Sequence, residues 1–243
     1  MSINESPNRT SGGLGRALIR LLMRPARVAS SEAIGGRFWL VTLEGPALMG
    51  AAWAPGQKIQ IAMGSAFVAR TYTPMDWDAA TGRTRFLGHA HGEGPGAQWL
   101  GSLAPGAPCD LFGPRPSLGA GQSGGALVVF GDETSMGLVH ALAAGDPTRS
   151  VACVFEVADL SGAQAVIERL GFSRTALFTR AAGDAHLAAA GDALVSLAAS
   201  GASFVLTGRA ASIQTIRRGL KQRAVAPARI IAKAHWAEGR AEA

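Results

Sequence analysis

The 243-residue chain has little cysteine, tyrosine or lysine, and each shortage excludes something. Its two cysteines, Cys109 and Cys153, stand far apart and in stretches of different pattern. Two thiols build no disulfide framework, show no metal-ligand spacing, and fall short of the about four ligands an iron–sulfur cluster needs. Reducing cytosol is the simpler home, so a cytoplasmic location is expected. Long apolar runs are also missing. The tract Leu18-Ile19-Arg20-Leu21-Leu22-Met23 is broken by Arg20 and too short for a signal core or a membrane span. It reads as a short basic amphipathic element. Neither cysteine lies in an activating context, and Gly131-Asp132-Glu133-Thr134 has no GxGxxG fingerprint. Asp132 and Glu133 are a carboxylate pair, but adjacent loop residues rarely form a productive acid/base couple.

Charged residues make up 16 % of the chain, and glycine is abundant. That composition is globular and excludes a disordered or fibrous chain. The net charge of +6 is carried almost wholly by arginine, with Lys58, Lys221 and Lys233 the only lysines. Dispersed basic residues without aromatic interleaving exclude the recognised nucleic-acid modules. The excess suits anionic small ligands in a basic cleft.

Between residues 27 and 116 the chain reads as short apolar runs at 38–43, 58–63, 67–72, 83–89 and 109–112. Pro46, Pro55-Gly56, Thr81-Gly82 and Pro105-Gly106 punctuate them. Strands at that spacing predict a small antiparallel β-barrel. Strands at 126–130, 151–157, 175–179, 203–207 and 228–234 then alternate with helices at 134–144, 161–170 (capped by Ser161), 185–199 and 211–222. This alternation predicts an α/β unit with a parallel sheet, whose ligands sit outside the carboxyl ends of the strands. The expected organisation is a flexible N-terminus over 1–15, a barrel domain over 16–118, a Gly/Ser-rich linker over 119–125 and an α/β domain over 126–243.

Arg70-Thr71-Tyr72-Thr73-Pro74 ends one alternating run. On a strand Arg70 and Tyr72 share a face. An arginine fork can grip a pyrophosphate, a tyrosine can stack on a flavin ring, and threonine can meet its polar edge. About twenty residues on, His91-Gly92-Glu93-Gly94-Pro95-Gly96-Ala97-Gln98-Trp99-Leu100 puts close-approach glycines and an N1 proline before a helix. Its free N–H groups suit a diphosphate. Phe112-Gly113-Pro114-Arg115 reads as a tight turn carrying a cation.

RTYTP, HGEGPGAQW and FGPR, in this order and spacing, resemble the FAD-binding half of the siderophore-interacting proteins, flavin-dependent ferric-siderophore reductases of the ferredoxin-reductase-like superfamily. The likeness continues through Leu127–Ser135 with its GDET loop, through Leu206-Thr207-Gly208-Arg209-Ala210, and through Ala234-His235-Trp236-Ala237-Glu238-Gly239, similar to that family's YWxxG ending. It covers roughly residue 20 to the end. Arg209 stands where the family usually has Glu, and His235 where it usually has Tyr.

The resemblance implies an N-terminal FAD-binding barrel, a C-terminal NAD(P)H-binding domain, and reduction of Fe(III) in a ferric siderophore or other anionic ferric chelate, with release of Fe(II). It implies cofactor contacts from Arg70, Thr71, Tyr72, Thr73, His91, Gly94, Gly96, Ala97 and Trp99 toward FAD. Asp132, Thr134, Gly208, Arg209 and Trp236 are implied in holding the nucleotide or the flavin edge, and Lys233 and Arg240 the chelate. No catalytic acid or base is required, since the cofactor carries the electrons. The residues themselves leave alternatives open. Trp99 suits helix packing, Asp132 or Thr134 a helix cap that is compatible with nucleotide approach, and His89 with His91 a metal spacing that lacks carboxylate or cysteine partners. Glu156 suits either a ribose hydroxyl or an exposed strand position. Arg209, Arg217 and Arg218 suit either the 2′-phosphate of NADPH or a basic helix face, with NADPH favoured over NADH. A monomer without a membrane span is expected. The competing readings are a general NAD(P)H–flavin diaphorase and a flavin-free siderophore-binding protein.

Overall fold

The computed structural model describes residues 22–65, 68–119 and 125–238. The expected flexible N-terminus, most of the linker, Gly239 and Arg240 lie outside the described residues, as does all but the end of the amphipathic element at 18–23.

The first half is a seven-stranded antiparallel sheet: β1 (Arg24–Gly35), β2 (Phe38–Glu44), β3 (Lys58–Ser65), β4 (Val68–Tyr72), β5 (Pro74–Asp78), β6 (Arg83–His89) and β7 (Pro108–Arg115). Its order is β4-β3-β7-β1-β2-β6-β5. The two end strands, β4 and β5, are joined in the chain by Thr73 alone, so the sheet must curl until its ends meet. That is the expected barrel, with Thr73 at its seam. Val28, Val41, Ile59, Ile61, Phe86 and Leu111 fill the interior. Two strands escaped the sequence pattern. β1 carries Ser30, Ser31 and Glu32 in its middle, and β5 begins on a proline, which is tolerated at the first position of a strand. Phe112–Arg115 continues β7 and does not form the expected turn. One helix, α1 (Pro95–Ser102), lies between β6 and β7, with Gly94 as N-cap and Pro95 at N1.

The second half is a five-stranded parallel sheet of β8 (Leu127–Gly131), β9 (Val151–Val157), β10 (Thr175–Thr179), β11 (Ser203–Arg209) and β12 (Ile230–Trp236), in the order β10-β9-β8-β11-β12. Its helices are α2 (Met136–Gly145), α3 (Leu160–Leu170), α4 (His186–Leu197) and α5 (Ala210–Gln222). Alternation along β8 separates its two faces. Leu127 and Val129 pack with Leu138, Val139 and Leu142 of α2 and with Ala163 and Val166 of α3. Val128 and Phe130 pack with Leu187 and Leu194 of α4 and Ile213 and Ile216 of α5. Helices therefore cover both faces, as a parallel sheet requires. Helix α3 is capped by Asp159, whose carboxylate accepts from Ser161 N, and not by Ser161 itself. Helix α2 begins two residues later than expected because Glu133–Ser135 forms a 3-10 turn. Strand β12 begins late for the same reason, behind the 3-10 turn Pro227–Arg229.

The halves share one core. Phe38, Leu40, Met75 and Leu87 on the outside of the barrel pack in the same cluster as α2, α3 and the inner face of β8. At the rim, Arg169 of α3 makes a bidentate pair with Glu32 of β1, at 3.1 and 3.0 Å. Both side chains are about half exposed, so the pair contributes little beside the apolar cluster.

Phe130 is fully buried at the centre of the α4–α5 face. Phe130→Ala removes most of that packing and is expected to cost about 3–5 kcal/mol. Denaturant unfolding measures it, and a loss below about 1 kcal/mol would mean that this face can collapse around the void.

Candidate functional site

A cleft of about 260 Å3 opens where the barrel meets the carboxyl edge of the parallel sheet. The barrel contributes Lys58 of β3, Arg70, Thr71 and Tyr72 of β4, Thr73 at the seam, Leu87 and His89 of β6, His91, and Gly94, Gly96 and Ala97 at the start of α1. The second half contributes Thr134 after β8, Gly137 of α2, and Lys233, Ala234 and His235 of β12; Ser117, between the halves, completes it. Residues forty or more apart in the sequence thus meet at one place.

The geometry of the barrel wall follows from its local sequence. Gly94 caps α1 with no side-chain hydrogen bond, and no acidic residue sits in the first turn. The first amides of the helix and its positive dipole end therefore face outward, a natural anion site. A Cβ on Gly94 would meet nothing within 4 Å, whereas one on Gly96 would lie 3.1 Å from Arg70 Cγ. Backbone bare at Gly94 and an arginine laid against Gly96 make a cradle of the size and charge that a diphosphate needs. Tyr72 packs on Phe86 with ring centroids 4.4 Å apart. Trp99 does not line the cleft. It stands behind Tyr72 at 6.2 Å and packs on the barrel core.

His89 rests against Phe38 at 4.7 Å. Burial holds its imidazole below the ordinary value of 6.5, with Glu133 and Asp132 pulling the other way. Among the described residues no cluster of His, Cys, Asp and Glu could hold a metal. Lys58 is the cation that sequence reasoning missed. Burial first, then repulsion from Arg115 and Lys233, lowers its pKa. Its one signal in the sequence was rarity, and rarity says nothing about location. Leu87, Ser117 and Gly137 gave no signal, because only the meeting of the two halves makes them wall residues.

On the second half, several residues implied as cofactor contacts are turned elsewhere. Asp132 is fully buried: Oδ1 accepts from Thr134 N at 2.9 Å and from Thr134 Oγ1 at 2.5 Å, and Oδ2 accepts from Trp236 Nε1 at 2.7 Å. Asp132 and Trp236 therefore bind each other and do not line the cleft. Gly208 faces Asp132: its φ is +93°, and a Cβ there would lie 2.5 Å from Asp132 Oδ2. Arg209 is buried among acids. Its guanidinium donates to Ser212 Oγ at 2.8 Å, to Glu238 at 2.9 Å and to Asp184, and Nε lies 3.7 Å from Glu156. Burial alone would depress its pKa, but Asp184, Glu238 and Glu156 raise it above the ordinary value. A guanidinium so engaged is a strut between β11, α5 and the C-terminal segment. Glu156 is fully buried and 2.8 Å from His186 Nε2, and so is not an exposed strand residue. Arg217 and Arg218 lie exposed about 10 Å along α5 from its N-terminus, the basic-face alternative. Arg240 lies outside the described residues.

A closed antiparallel barrel followed by a helix-covered parallel sheet, with a cleft at their junction, is the architecture of FAD/NAD-binding reductase modules. Three solved structures illustrate it. The siderophore-interacting protein SipS from Aeromonas hydrophila superposes with a TM-score of 0.71 at 18 % identity, covering 90 % of this chain and 94 % of that one. A siderophore utilization protein from T. fusca gives 0.69 at 20 % identity, covering 91 % and 95 %. The flavohaem-like FAD/NAD-binding domain of nitric oxide dioxygenase from Vibrio cholerae gives 0.64 at 16 % identity, covering 88 % and 98 %. No protein-family model matches the chain, and no curated protein does either. The likeness establishes the fold.

Removing the strut tests its assignment. Arg209→Ala leaves the buried Glu156 carboxylate without its nearest cation, and the loss of one partner of such a pair costs about 3–5 kcal/mol. Thermal and denaturant unfolding are expected to show that loss. An unchanged stability with a raised Michaelis constant for NADPH alone would return Arg209 to the 2′-phosphate.

Proposed function

We propose that the protein is an FAD-dependent ferric-chelate reductase that takes electrons from NAD(P)H, reduces the Fe(III) of a siderophore or similar anionic chelate, and lets Fe(II) go. The observation that carries this reading is the cleft itself. The RTYT segment, the glycine-rich start of α1 and a lysine-bearing strand of the second half line one cavity, although nothing local forces them together.

The residues fit the cofactor. Arg70 and the uncapped amides of α1 would take the diphosphate, and the bare backbone at Gly94 lets it approach. Tyr72, fixed on Phe86, offers a ring edge to the isoalloxazine, while Thr71 and Thr73 supply hydroxyl and backbone groups at the seam. When bound there, FAD would accept a hydride and give up single electrons, chemistry that no side chain of this chain possesses. The side chains hold and orient. His91 and Ala97 flank the α1 cradle, and Leu87 and Gly137 also line the cleft. Lys58 and Lys233 give the cleft a positive edge suited to a ferric chelate carrying negative charge. The nicotinamide nucleotide would enter along the carboxyl edge of the parallel sheet, near Thr134. Choice between NADPH and NADH now lacks its main support, since Arg209 is engaged with acids. The buried free thiols of Cys109 and Cys153 suit a reducing cytoplasm.

Purified protein is expected to be yellow with noncovalent FAD and to form Fe(II) from ferric chelates only when NADPH or NADH is added. Colourless protein that binds ferric siderophore would favour a carrier, and reduction of dyes or quinones without iron would favour a diaphorase. Arg70→Ala removes a charge-assisted contact of about 1.5–3 kcal/mol and is expected to lose flavin on dialysis. Full flavin occupancy in that variant would remove Arg70 from the diphosphate. Anionic chelates are expected to react faster than neutral ones of similar potential, by a margin that shrinks in high salt because exposed attraction is screened over roughly 8–10 Å. Lys233→Ala is expected to narrow the margin while nucleotide-driven bleaching of the flavin continues. A parent enzyme indifferent to chelate charge would remove Lys233 from that role.

A further inference from the structure

Two imidazoles of the second half have opposite kinds of partner. In His186, Nδ1 accepts Ala181 N–H at 3.2 Å and Nε2 lies 2.8 Å from the Glu156 carboxylate. A backbone N–H only donates and an ionised carboxylate only accepts, so that ring is locked in one tautomer. In His235, Nδ1 lies 3.0 Å from Thr134 Oγ1 and Nε2 lies 2.8 Å from Thr207 Oγ1. A hydroxyl donates or accepts by turning its hydrogen. The ring of His235 can therefore gain or lose a proton without leaving its place.

The hydroxyl of Thr134 has two acceptors within reach, His235 Nδ1 at 3.0 Å and Asp132 Oδ1 at 2.5 Å. With the ring neutral, Thr134 donates to Nδ1 and Nε2–H donates to Thr207. With the ring charged, Nδ1–H donates to Thr134, whose hydroxyl turns to the buried Asp132 carboxylate. Both Thr134 and His235 line the cleft. Asp132, one hydroxyl away, favours the charged ring. Lys58 of β3, Arg70 of β4 and Lys233 of β12 line the same cleft and oppose it, as do His89 and His91 when charged. Arg209 of β11 and Glu133 are each held in ion pairs of their own.

We propose that His235 is the proton carrier of this cleft, an inference that rests on the ferric-reductase reading. In the overall reaction, NAD(P)H and two Fe(III) give NAD(P)+, two Fe(II) and one proton. The hydride supplies two electrons, each ferric ion takes one, and one proton is left over for the protein to move. The oxygen donors of the chelate become more basic as the charge on their metal falls. The Thr134 hydroxyl relays the proton: Nδ1 of His235 takes it up through that hydroxyl and returns it by the same route to one of those oxygens, and the ring returns to its neutral form.

The test joins an NMR titration to stopped-flow kinetics on the FAD-loaded protein. Imidazole C–H resonances are followed in the parent and in His235→Gln, with His235→Asn run in parallel in case Gln does not fold. The resonance absent from the variant is expected to titrate between about pH 5 and 8 in the parent. Nucleotide-driven bleaching is expected to survive in the variant. Its Fe(II) formation is expected to fall about 100-fold, the lower range for a positioned proton donor, and to lose both its pH dependence and its solvent deuterium isotope effect. An imidazole that does not titrate in that range would overturn the proposal, as would a variant with the parent's rate and pH profile. Loss of bleaching in the variant would overturn it too, by making the ring a support of the site. A parent that bleaches with nucleotide yet reduces no ferric chelate would sink the ferric-reductase reading, and the proposal with it.

Discussion

A single buried carboxylate ties together the ligand edge of the second half. Asp132 has no exposed surface, and an ionised carboxylate in that position is tolerable only if its oxygens are filled. Thr134, Ser135 and Trp236 fill them, drawing on the loop after β8 and the end of β12. Gly208 of β11 is pressed against the same group and has both the left-handed backbone and the missing Cβ that this contact demands. GDET, TGRA and the His-Trp pair near the C-terminus, far apart along the chain, are thus one cluster. The position of Thr134 and His235 on the cleft wall follows from it.

The apolar cluster shared by the halves does comparable work at larger scale. Phe38, Leu40, Met75 and Leu87 serve the outside of a barrel and the inside of a two-layer core at once. Sliding one half over the other would expose all four. At about 25 cal/mol per Å2 of apolar surface, that is a larger penalty than any ion pair at the rim supplies. A cleft built across such a joint keeps its shape.

Much of this was legible in the sequence. The period-two runs located five of the seven barrel strands, and β9 and β10 fell on the residues expected. Arg70, Thr71, Tyr72, Thr73, His91, Gly94, Gly96 and Ala97 were singled out from turn chemistry and from the family resemblance, and they do meet at one cavity. The residues that stand off the cleft wall do so for a common physical cause. Asp132, Arg209, Glu156, Trp99 and Trp236 are polar or amphipathic residues beside a ligand edge, and one-dimensional pattern cannot tell whether such a group faces the ligand or a neighbour. Asp132, Arg209, Glu156 and Trp236 each have a polar partner inside the protein, because burial leaves a charge or an N–H no other choice, and Trp99 packs on Tyr72 and Phe86. Lys58, Leu87 and Gly137 escaped for the opposite reason. Their place on the wall is decided by how two separate sheets dock.

The seam of the barrel has a consequence of its own. Thr73 is the whole connection between the first and last strands of the sheet. Because side chains alternate along a strand, one residue added between Val68 and Tyr72 would turn Arg70 or Tyr72 to the opposite face. Within this segment the number of residues is therefore more constrained than their kinds. Sequence drift can exchange letters here far more readily than it can add or remove one.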